Sequence, residues 1–457
     1  MIEVKHDHKL EFPTIEVPMI QEDDENPHTG YQQSKIDGIL IPLIRYNNYT
    51  IWFPSIERVV LKCGQVPTIS VTFNDSFGQI KPLDTPGIDS ILYVQILPPF
   101  DNAYKKIQLA FRVTRIKMRG SVVSISGTYC IPRIFDNVMK PYGFLSTYDL
   151  FDKVSNEYGL GFCSNVSGTT DDRYIYNPNM NLLDFLSREI VYSGLSEGED
   201  ADKHVFGWWI DLWNNINLVD LFDAYTKVVP DEELLIWLSS NTTNDASVDL
   251  QAEPQQQIAA FCNHPIMASN DLFVMDYIPK ANNYNGTDIN FEVYMLDNLD
   301  RHSTLIQDGD VKEKSSTTIK YKYGGEVFGD FDYLTKQATR DLFINKINGQ
   351  TIEVQANRPL LGLMKGGRVN FWWFDTNNPM ISDIDTSEIE SNIALPPDIF
   401  TGDTEYKINP TVSGQYYICD ITYTYDKLGG WVSKYILSRP ADKINRVNAP
   451  SKETFMT

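Results

Sequence analysis

Short runs of alternating apolar and polar residues dominate the chain and predict β-strands. Between Ile36 and Arg133 about seven such runs follow one another, with turn residues at intervals of roughly eight to twelve positions. The alternation is plainest in Thr68–Phe73 and Ile107–Met118. Successive side chains of a strand point to opposite faces, so each run can bury one face. Short strands at this regular spacing are typical of a sandwich or a barrel.

Two helices interrupt this pattern after residue 140. The first begins near Ser146, which with Asp149 forms a capping box that satisfies free backbone N–H groups. It ends at Gly159, because glycine adopts the left-handed C-terminal conformation without a Cβ clash. One face of this helix carries Leu150, Phe151, Val154 and Tyr158 at helical spacing.

The second helix and the hairpin that follows it have equally local signals. Asn179 or Asn181 is the predicted N-cap, and Gly194 is the predicted stop. The sequence FGWWIDLWNNINLVDLF then predicts two strands around an Asn214–Asn215 turn, since asparagine tolerates the positive φ of tight turns.

The C-terminal half again predicts strands. Residues 241–265 are polar and rich in glutamine, as in a linker or long loop, and residues 333–347 repeat apolar side chains at helical spacing. A strand at 351–356 and a hairpin around Asp426–Gly430 flank an acidic insertion at 375–403, which is too polar for a core.

The charge balance limits the classes of partner. The chain has 61 Asp and Glu against 39 Lys and Arg, a net charge of −22. A nucleic-acid-binding groove needs clustered cations, so this balance argues against one. It fits a solvated acidic surface, or a channel whose carboxylates repel phosphate and let DNA slide past. Charge alone does not choose between these two interpretations.

Cysteine usage and hydropathy add two expectations. The five cysteines are odd in number and lack metal-finger spacing, which favours buried free thiols in a reducing compartment. No apolar run reaches the ~18 residues that span a bilayer, and the N-terminal residues lack the apolar stretch of a secretory signal. We therefore expect no membrane insertion.

Three segments of the helical region carry a recognisable order of residue types. They are Thr147–Asn165 with Leu-Gly-Phe near its end, Tyr174–Gly194, and Gly207–Asp220 with its Trp-Trp-x-Asp-x-Trp-Asn-Asn core. This order resembles the hub proteins of contractile phage baseplates, the phage late-control D family and the hub part of type VI secretion spike proteins. Residues 359–439 are similar to the second barrel of such hubs.

The resemblance implies a fold class that is mainly β with an α/β insertion, in which two tube-like β-barrel domains flank a small α+β domain. The predicted domains are an N-terminal arm at 1–34, a first barrel at 35–135, an α/β domain at 136–240, a linker and mixed region at 241–350, a second barrel at 351–440 with the insertion at 375–403, and a C-terminal tail at 441–457. The arm and the insertion have no counterpart in the hub pattern.

The resemblance also implies a structural virion protein. Such a hub is a homotrimer whose barrels form a pseudo-sixfold ring that joins the tail tube to the central spike and to other baseplate proteins. DNA passes through the lumen without specific binding, and part of the acidic charge is expected to line that lumen. The implied location is the virion tail or baseplate, after assembly in the host cytoplasm.

No catalytic, cofactor-binding or metal motif emerges from the sequence. Nucleophile elbows, zinc-protease helices and phosphate-binding loops are all missing. Acidic pairs such as Asp171–Asp172, Asp308–Asp310 and Asp383–Asp385 match the two carboxylates of a glycosidase. Among 61 acidic residues such pairs arise by chance, so a solvated interpretation is favoured. We expect no enzyme activity, no cofactor and no metal.

The histidines favour the same conclusion. His6 and His8 flank Asp7 in a terminal arm, where a metal site would lack further ligands and a fixed frame. His204 and His264 are isolated, so surface or hydrogen-bonded core positions are favoured over metal ligation.

Aromatic residues provide the candidate interface. The cluster comprises Trp208, Trp209, Trp213, Phe371 and Trp373. Such residues are more often core than sugar-stacking platforms, although one face of the hairpin is a candidate for contact with a partner. The alternative function is a glycan-cleaving or glycan-binding tail protein, an adhesin or hydrolase.

Overall fold

The computed structural model describes only part of the 457-residue chain. The described residues are 2–15, 42–76, 90–96, 106–130, 134–191, 204–226, 347–356, 363–375, 414–428 and 430–439, single positions at 78, 80, 87, 194 and 344, and the strand positions of seven further segments between 233 and 408. The predicted helix at 333–347 except residues 344 and 347, most of the linker, the insertion after residue 375 and the tail therefore lie outside the described residues.

The chain divides into two compact units. The first comprises Met1–Ala224 and Asp420–Ser433, and the second comprises Tyr225–Cys419 and Lys434–Thr457. Within the part that is described, no helix has the length and apolar character needed to cross a membrane.

Up to residue 226 the elements are mostly strands. The strands are β1 (Glu3–His6), β2 (Pro42–Tyr46), β3 (Tyr49–Ile51), β4 (Ile56–Cys63), β5 (Pro67–Asn74), β6 (Ile91–Ile96), β7 (Ile107–Arg119), β8 (Val122–Tyr129), β9 (Val138–Leu145), β10 (Gly161–Ser164), β11 (Arg173–Met180), β12 (Phe206–Ile210) and β13 (Asn215–Asp220). The helices are α1 (Thr147–Tyr158), α2 (Leu182–Phe185), which continues as a π turn (Leu186–Ile190), and α3 (Leu221–Thr226).

The remainder of the described chain contributes strands. They are β14 (Glu233–Ser239), β15 (Ala259–Cys262), β16 (Leu272–Pro279), β17 (Asn290–Leu296), β18 (Ser303–Asp308), β19 (Thr318–Gly324), β20 (Gln350–Ala356), β21 (Arg368–Asp375), β22 (Lys407–Ile408), β23 (Gly414–Asp426) and β24 (Gly430–Arg439).

An antiparallel sheet forms the larger part of the first unit. Its strand order is β3-β2-β6-β7-β8-β5-β4, and the end of β23 pairs with β4 through residues 422–426. Burial alternates along β5, where Ile69, Val71 and Phe73 are buried and their neighbours are not. The predicted strand alternation is thus realised as one buried and one solvated face.

A second, four-stranded sheet in the order β1-β10-β13-β12 forms the α/β part of the first unit. Here β10 and β13 run parallel, while β1 pairs antiparallel with β10. The sequence predicted an N-terminal arm at 1–34. The structure places Glu3–His6 on the chain's own β10, and Ile15 is buried.

The first predicted helix is confirmed with its signals. The Ser146 hydroxyl accepts the backbone N–H of Asp149 at 3.1 Å, and Gly159 has the expected left-handed φ of 71°. Leu150, Phe151 and Val154 on its apolar face have no exposed surface. Removing such a cap hydrogen bond typically costs about 1 kcal/mol.

The second helix begins as predicted but is shorter. Asn181 is its N-cap and accepts the N–H of Asp184 at 2.9 Å, whereas Asn179 lies before it at a φ of 73°. The regular hydrogen-bond pattern stops at Phe185 and continues as the π turn. Gly194 instead permits close packing, because a Cβ there would lie 2.7 Å from the Phe206 ring.

Strands β9 and β11 pair as a two-stranded antiparallel ribbon. The strand register shifts between the pairs Ile175–Gly143 and Tyr176–Pro141, where Gly143 has a φ of 93°. A glycine at this bulge takes up the irregularity that proline, lacking an N–H, introduces into the ladder.

The second unit is also built from strands. β21 lies between β14, to which it is parallel, and β23, to which it is antiparallel, while β20 lies between β16 and β24. Its core includes Phe371, Tyr416 and Tyr435, none of which has exposed surface. Buried Arg439 lies 4.9 Å over the Tyr416 ring.

The predicted fold class, mainly β with an α/β insertion, is confirmed. The described strand pairings do not close either set of strands into a barrel, so closure stays a prediction. Four cysteines whose side chains are described are reduced thiols, with no disulfide among the described residues: Cys63, Cys130, Cys163 and Cys419.

Candidate functional site

The tryptophan hairpin of β12 and β13 is packed into the first unit. Trp208 and Trp209 are 5% and 4% exposed. The Trp208 indole N–H donates to Ser187 Oγ at 3.2 Å, and its ring meets Phe151 of α1 edge-on at 6.0 Å. Both tryptophans therefore fill the core. The buried indole N–H of Trp208 is satisfied by its hydrogen bond to Ser187.

A half-buried carboxylate organises the turn of this hairpin. Asp211 accepts the backbone N–H groups of Trp213 and Asn215 at 2.8 and 2.9 Å, and the side-chain amides of Asn215 and Asn217 at 3.0 and 3.2 Å. Burial raises the pKa of Asp211, and these donated hydrogen bonds oppose the rise. The Asp and Asn residues of the motif thus bind one another.

Asn214 connects the turn to the larger sheet of the same unit. It lies in the left-handed region with a φ of 61°. Its Oδ1 accepts the Tyr129 hydroxyl at 2.8 Å, and its Nδ2 donates to the Gln108 carbonyl at 2.8 Å. Its own carbonyl accepts the N–H of Gly161 at 3.0 Å. One asparagine therefore joins β7, β8 and β10; we call Asp211, Asn214 and their partners the turn network.

A metal-like cluster lies at the other end of the hairpin. His204, Asp220 and Asp223 bring ligand atoms within 4.8 Å of one another. However, His204 Nδ1 is hydrogen-bonded to Asp220, and the other oxygen of Asp220 accepts the N–H groups of Phe222 and Asp223 at 3.0 and 3.2 Å. Burial raises the Asp220 pKa, and His204 opposes that rise. The carboxylate acts as the cap of α3, and His204 is its hydrogen-bonded partner.

The acidic pair Asp171–Asp172 does not form a unit. Asp172 is exposed, but Asp171 is buried, accepts the Thr147 backbone N–H at 3.1 Å and pairs with Arg173. The solvated interpretation is wrong for Asp171, because its partners include a residue 24 positions away that the sequence does not place beside it. The side chains of the other two pairs lie outside the described residues.

The predicted aromatic cluster is split between the two units. Trp213 is half-buried, and Phe371 of the second unit is buried, while the side chain of Trp373 is not among those described. The interface role of Trp208, Trp209, Trp213, Phe371 and Trp373 stays a prediction.

An exposed apolar face on the ribbon of β9 and β11 was not predicted from the sequence. Its exposed side chains include Met139 (68%), Phe144 (71%), Tyr174 (67%) and Tyr176 (43%). Phe144 and Tyr174 are direct cross-strand partners. Neither strand contains an acidic residue. The period-two spacing of Tyr174 and Tyr176 is the signal that could have revealed it.

Solved structures similar to this chain include tail proteins. A tail protein from Neisseria meningitidis has a TM-score of 0.48 at 11% identity, covering 88% of this chain and 96% of its own. A prophage tail protein from Shewanella oneidensis has a TM-score of 0.48 at 10% identity, and the match covers 88% of this chain and 99% of that protein's chain. A type VI secretion component from E. coli has a TM-score of 0.40 at 11% identity, and the match covers 87% of this chain and 76% of that protein's chain.

No protein-family model and no curated protein matches the sequence.

Proposed function

We propose that this chain is a structural component of a phage tail or of a related secretion assembly, and that it acts as a hub. One observation carries the proposal: the motif residues that mark the resemblance are engaged in the chain's own architecture. Asp211, Asn214 and Asp220 are hydrogen-bonded within the fold. They build a scaffold and leave no catalytic group of this motif poised for a substrate.

In the finer form of the proposal, the chain assembles as a homotrimer that joins the tail tube to the central spike and leaves a passage for DNA. The exposed face of the β9–β11 ribbon supports self-association. Monomeric proteins rarely leave contiguous large apolar side chains exposed. A face without carboxylates is also where copies of a chain with net charge −22 approach with least repulsion.

The test is the double substitution Phe144→Ser and Tyr174→Ser in the full chain. We expect the trimer of the double variant to dissociate at concentrations at least ~10-fold higher than the wild-type trimer does, since central aromatic residues dominate interfaces. Leu428→Ser, at a turn where the side chain is 96% exposed, is the matched control and should leave assembly unchanged.

The exposed rings also support one alternative, glycan binding, because aromatic faces stack on sugars. Glycan binding by the wild-type protein that is lost in the double variant, with no change in mass, would establish that alternative instead. Equal assembly of the wild-type protein and both variants would remove the ribbon from the subunit contact but leave the hub proposal standing.

A further inference from the structure

The outer face of the larger sheet in the first unit is basic, although the chain as a whole is acidic. Alternation places Arg115, Lys117 and Arg119 on one side of β7, and the pairing register sets Ser126 and Ser124 beside the first two. The register continues this side across β5 to β4. We call it the basic face; its cations are Arg58, Lys62, Arg112, Arg115, Lys117 and Arg119. Arg112 lies on the same side as Arg115 because the register shifts between Val113 and Arg115.

Burial settles which way this face points. On the opposite side of the same strands, Leu61, Val71 and Ile125 have no exposed surface and form the core. On the basic face Arg112 is half-buried and the other five cations are exposed. Within the described part of the chain, no carboxylate is ion-paired with any of the six cations.

Hydroxyl groups fill the space between the two rows of cations. Ser70 and Ser126 are 3.4 Å apart across the strand pair, as are Thr72 and Ser124. These contacts confirm that the side chains of β5 and β8 share the face. Each hydroxyl is half-buried and can still donate or accept a further hydrogen bond.

Charge is segregated in the sequence as well. Between Asp101 and Asp136 the chain contains seven Lys or Arg and no acidic residue. At the chain average of 61 acidic residues in 457, a stretch of this length would hold four or five. Asp426 of β23 stands opposite Arg58, at one margin of the face. Screening acts over ~8 Å at physiological salt, so a ligand held against this face experiences the local cations more than the net charge.

We propose that the basic face binds the phosphodiester backbone of duplex DNA without reading its sequence. Arg, Lys, Ser and Thr are the side chains that contact phosphate oxygens in such complexes. A protein partner would need an apolar core in its interface. The large apolar side chains of these strands lie instead on the buried side of the sheet.

The spacing of the two rows of cations fits a duplex. Alternate residues of a strand lie ~7 Å apart, so the row from Arg112 to Arg119 runs for roughly 20 Å. The row on β4, with Arg58 and Lys62, lies three strand spacings away, about 14 Å. The major groove is ~12 Å wide, so the two rows can contact phosphates on both of its sides.

The experiment measures binding of the full chain to short fluorescently labelled duplexes of two unrelated sequences by anisotropy. At about 50 mM salt we expect a Kd on the order of 10 μM that is equal for both sequences and weakens steeply toward about 200 mM. The variant Arg115→Ser, Lys117→Ser, Arg119→Ser should bind at least ~10-fold more weakly. Its log–log salt slope should fall by roughly two to three, about 0.9 for each phosphate that the variant no longer neutralises.

Two controls make the result specific to this face. Lys5→Ser, Lys9→Ser, Arg188→Ser removes the same charge from exposed positions elsewhere in the first unit and should change Kd less than ~2-fold. Arg115→Lys with Arg119→Lys keeps the charge and should retain binding, since lysine also binds phosphate as a point charge. All substituted positions are exposed, and circular dichroism checks that each variant is folded.

Three results would overturn the proposal: no DNA binding at low salt, equal loss in the two triple variants, or a poly-glutamate peptide that binds this face where DNA does not. The last result would assign the face to an acidic protein surface. None of these measurements depends on trimer formation, so failure here leaves the proposed hub function untouched.

Discussion

Asn214 offers the most informative single substitution, because it holds a strained turn and a buried polar link together. Asn214→Ala removes the acceptor of the Tyr129 hydroxyl and the donor to the Gln108 carbonyl. It also places a β-carbon at a φ of 61°, where alanine lacks the local hydrogen bonding that lets asparagine tolerate this region.

The expected cost follows from these changes. Leaving a buried donor or acceptor unsatisfied costs about 1–3 kcal/mol, and two such groups result here. The left-handed conformation adds about 1 kcal/mol for alanine. We therefore expect the free energy of unfolding of the first unit to fall by roughly 4 kcal/mol. Asn214→Gly should recover about 1 kcal/mol of this decrease, because glycine has no Cβ penalty.

The assay is urea unfolding followed by tryptophan fluorescence, together with hydrogen exchange at the Gly161 amide. This amide donates to the Asn214 carbonyl at 3.0 Å, so its protection reports directly on the turn. A double-mutant cycle that combines Asn214→Ala with Tyr129→Phe isolates the hydrogen bond between the Tyr129 hydroxyl and the Asn214 side chain. The double variant should be less destabilised than the sum of the single variants by about 1 kcal/mol.

Asn179 is the matched control, because it is exposed and has a φ of 73°. Asn179→Ala should cost only the conformational penalty of about 1 kcal/mol. Two results would refute the reasoning that the buried hydrogen bonds of Asn214 stabilise the turn. One is an equal loss of unfolding free energy for Asn179→Ala and Asn214→Ala, and the other is a double-mutant cycle that shows no coupling between Asn214 and Tyr129.

Other predictions test the same architecture. Gly161→Ala should destabilise the first unit by about 2–3 kcal/mol in thermal unfolding, because a Cβ would lie 2.0 Å from Asn215 Oδ1. Gly168→Ala is the control, because the space around Gly168 is open. Equal melting temperatures of the two variants would contradict the packing argument. The raised pKa of Asp211 means that the native state holds its proton more tightly than the unfolded state. Stability should thus fall as pH rises from about 3.8 through the raised native pKa, and Asp211→Asn should flatten that slope; an unchanged slope would show that other groups cause it. Ser146→Ala should cost about 1 kcal/mol, measured by urea unfolding, through removal of the α1 cap; unchanged stability would show that the cap is dispensable.

Local signals in the sequence predicted those features of the structure that are formed by residues close together in the chain. The cap at Ser146, the stop at Gly159 and the turn at Asn214 are each formed within a few residues. The shortened second helix has no such signal: nothing in the sequence marks the change to a π turn at Leu186–Ile190.

Side chains whose partners are distant in the sequence could not be predicted in this way. Asn214 meets Tyr129 across 85 positions. Proximity in the sequence pairs Asp171 with Asp172, although Asp171 binds Thr147. The net charge of −22 similarly concealed the basic face, because only strand pairing shows that cations on β4 and β7 share one side.

The most direct test of the central claim is the mass of the wild-type protein in solution, measured by light scattering over a wide range of concentrations. A hub requires self-association, so we predict three times the mass of the chain, or a multiple of that trimer, with a concentration dependence that the ribbon variants shift. A single-chain mass at every concentration would contradict the homotrimer and the hub role that rests on it.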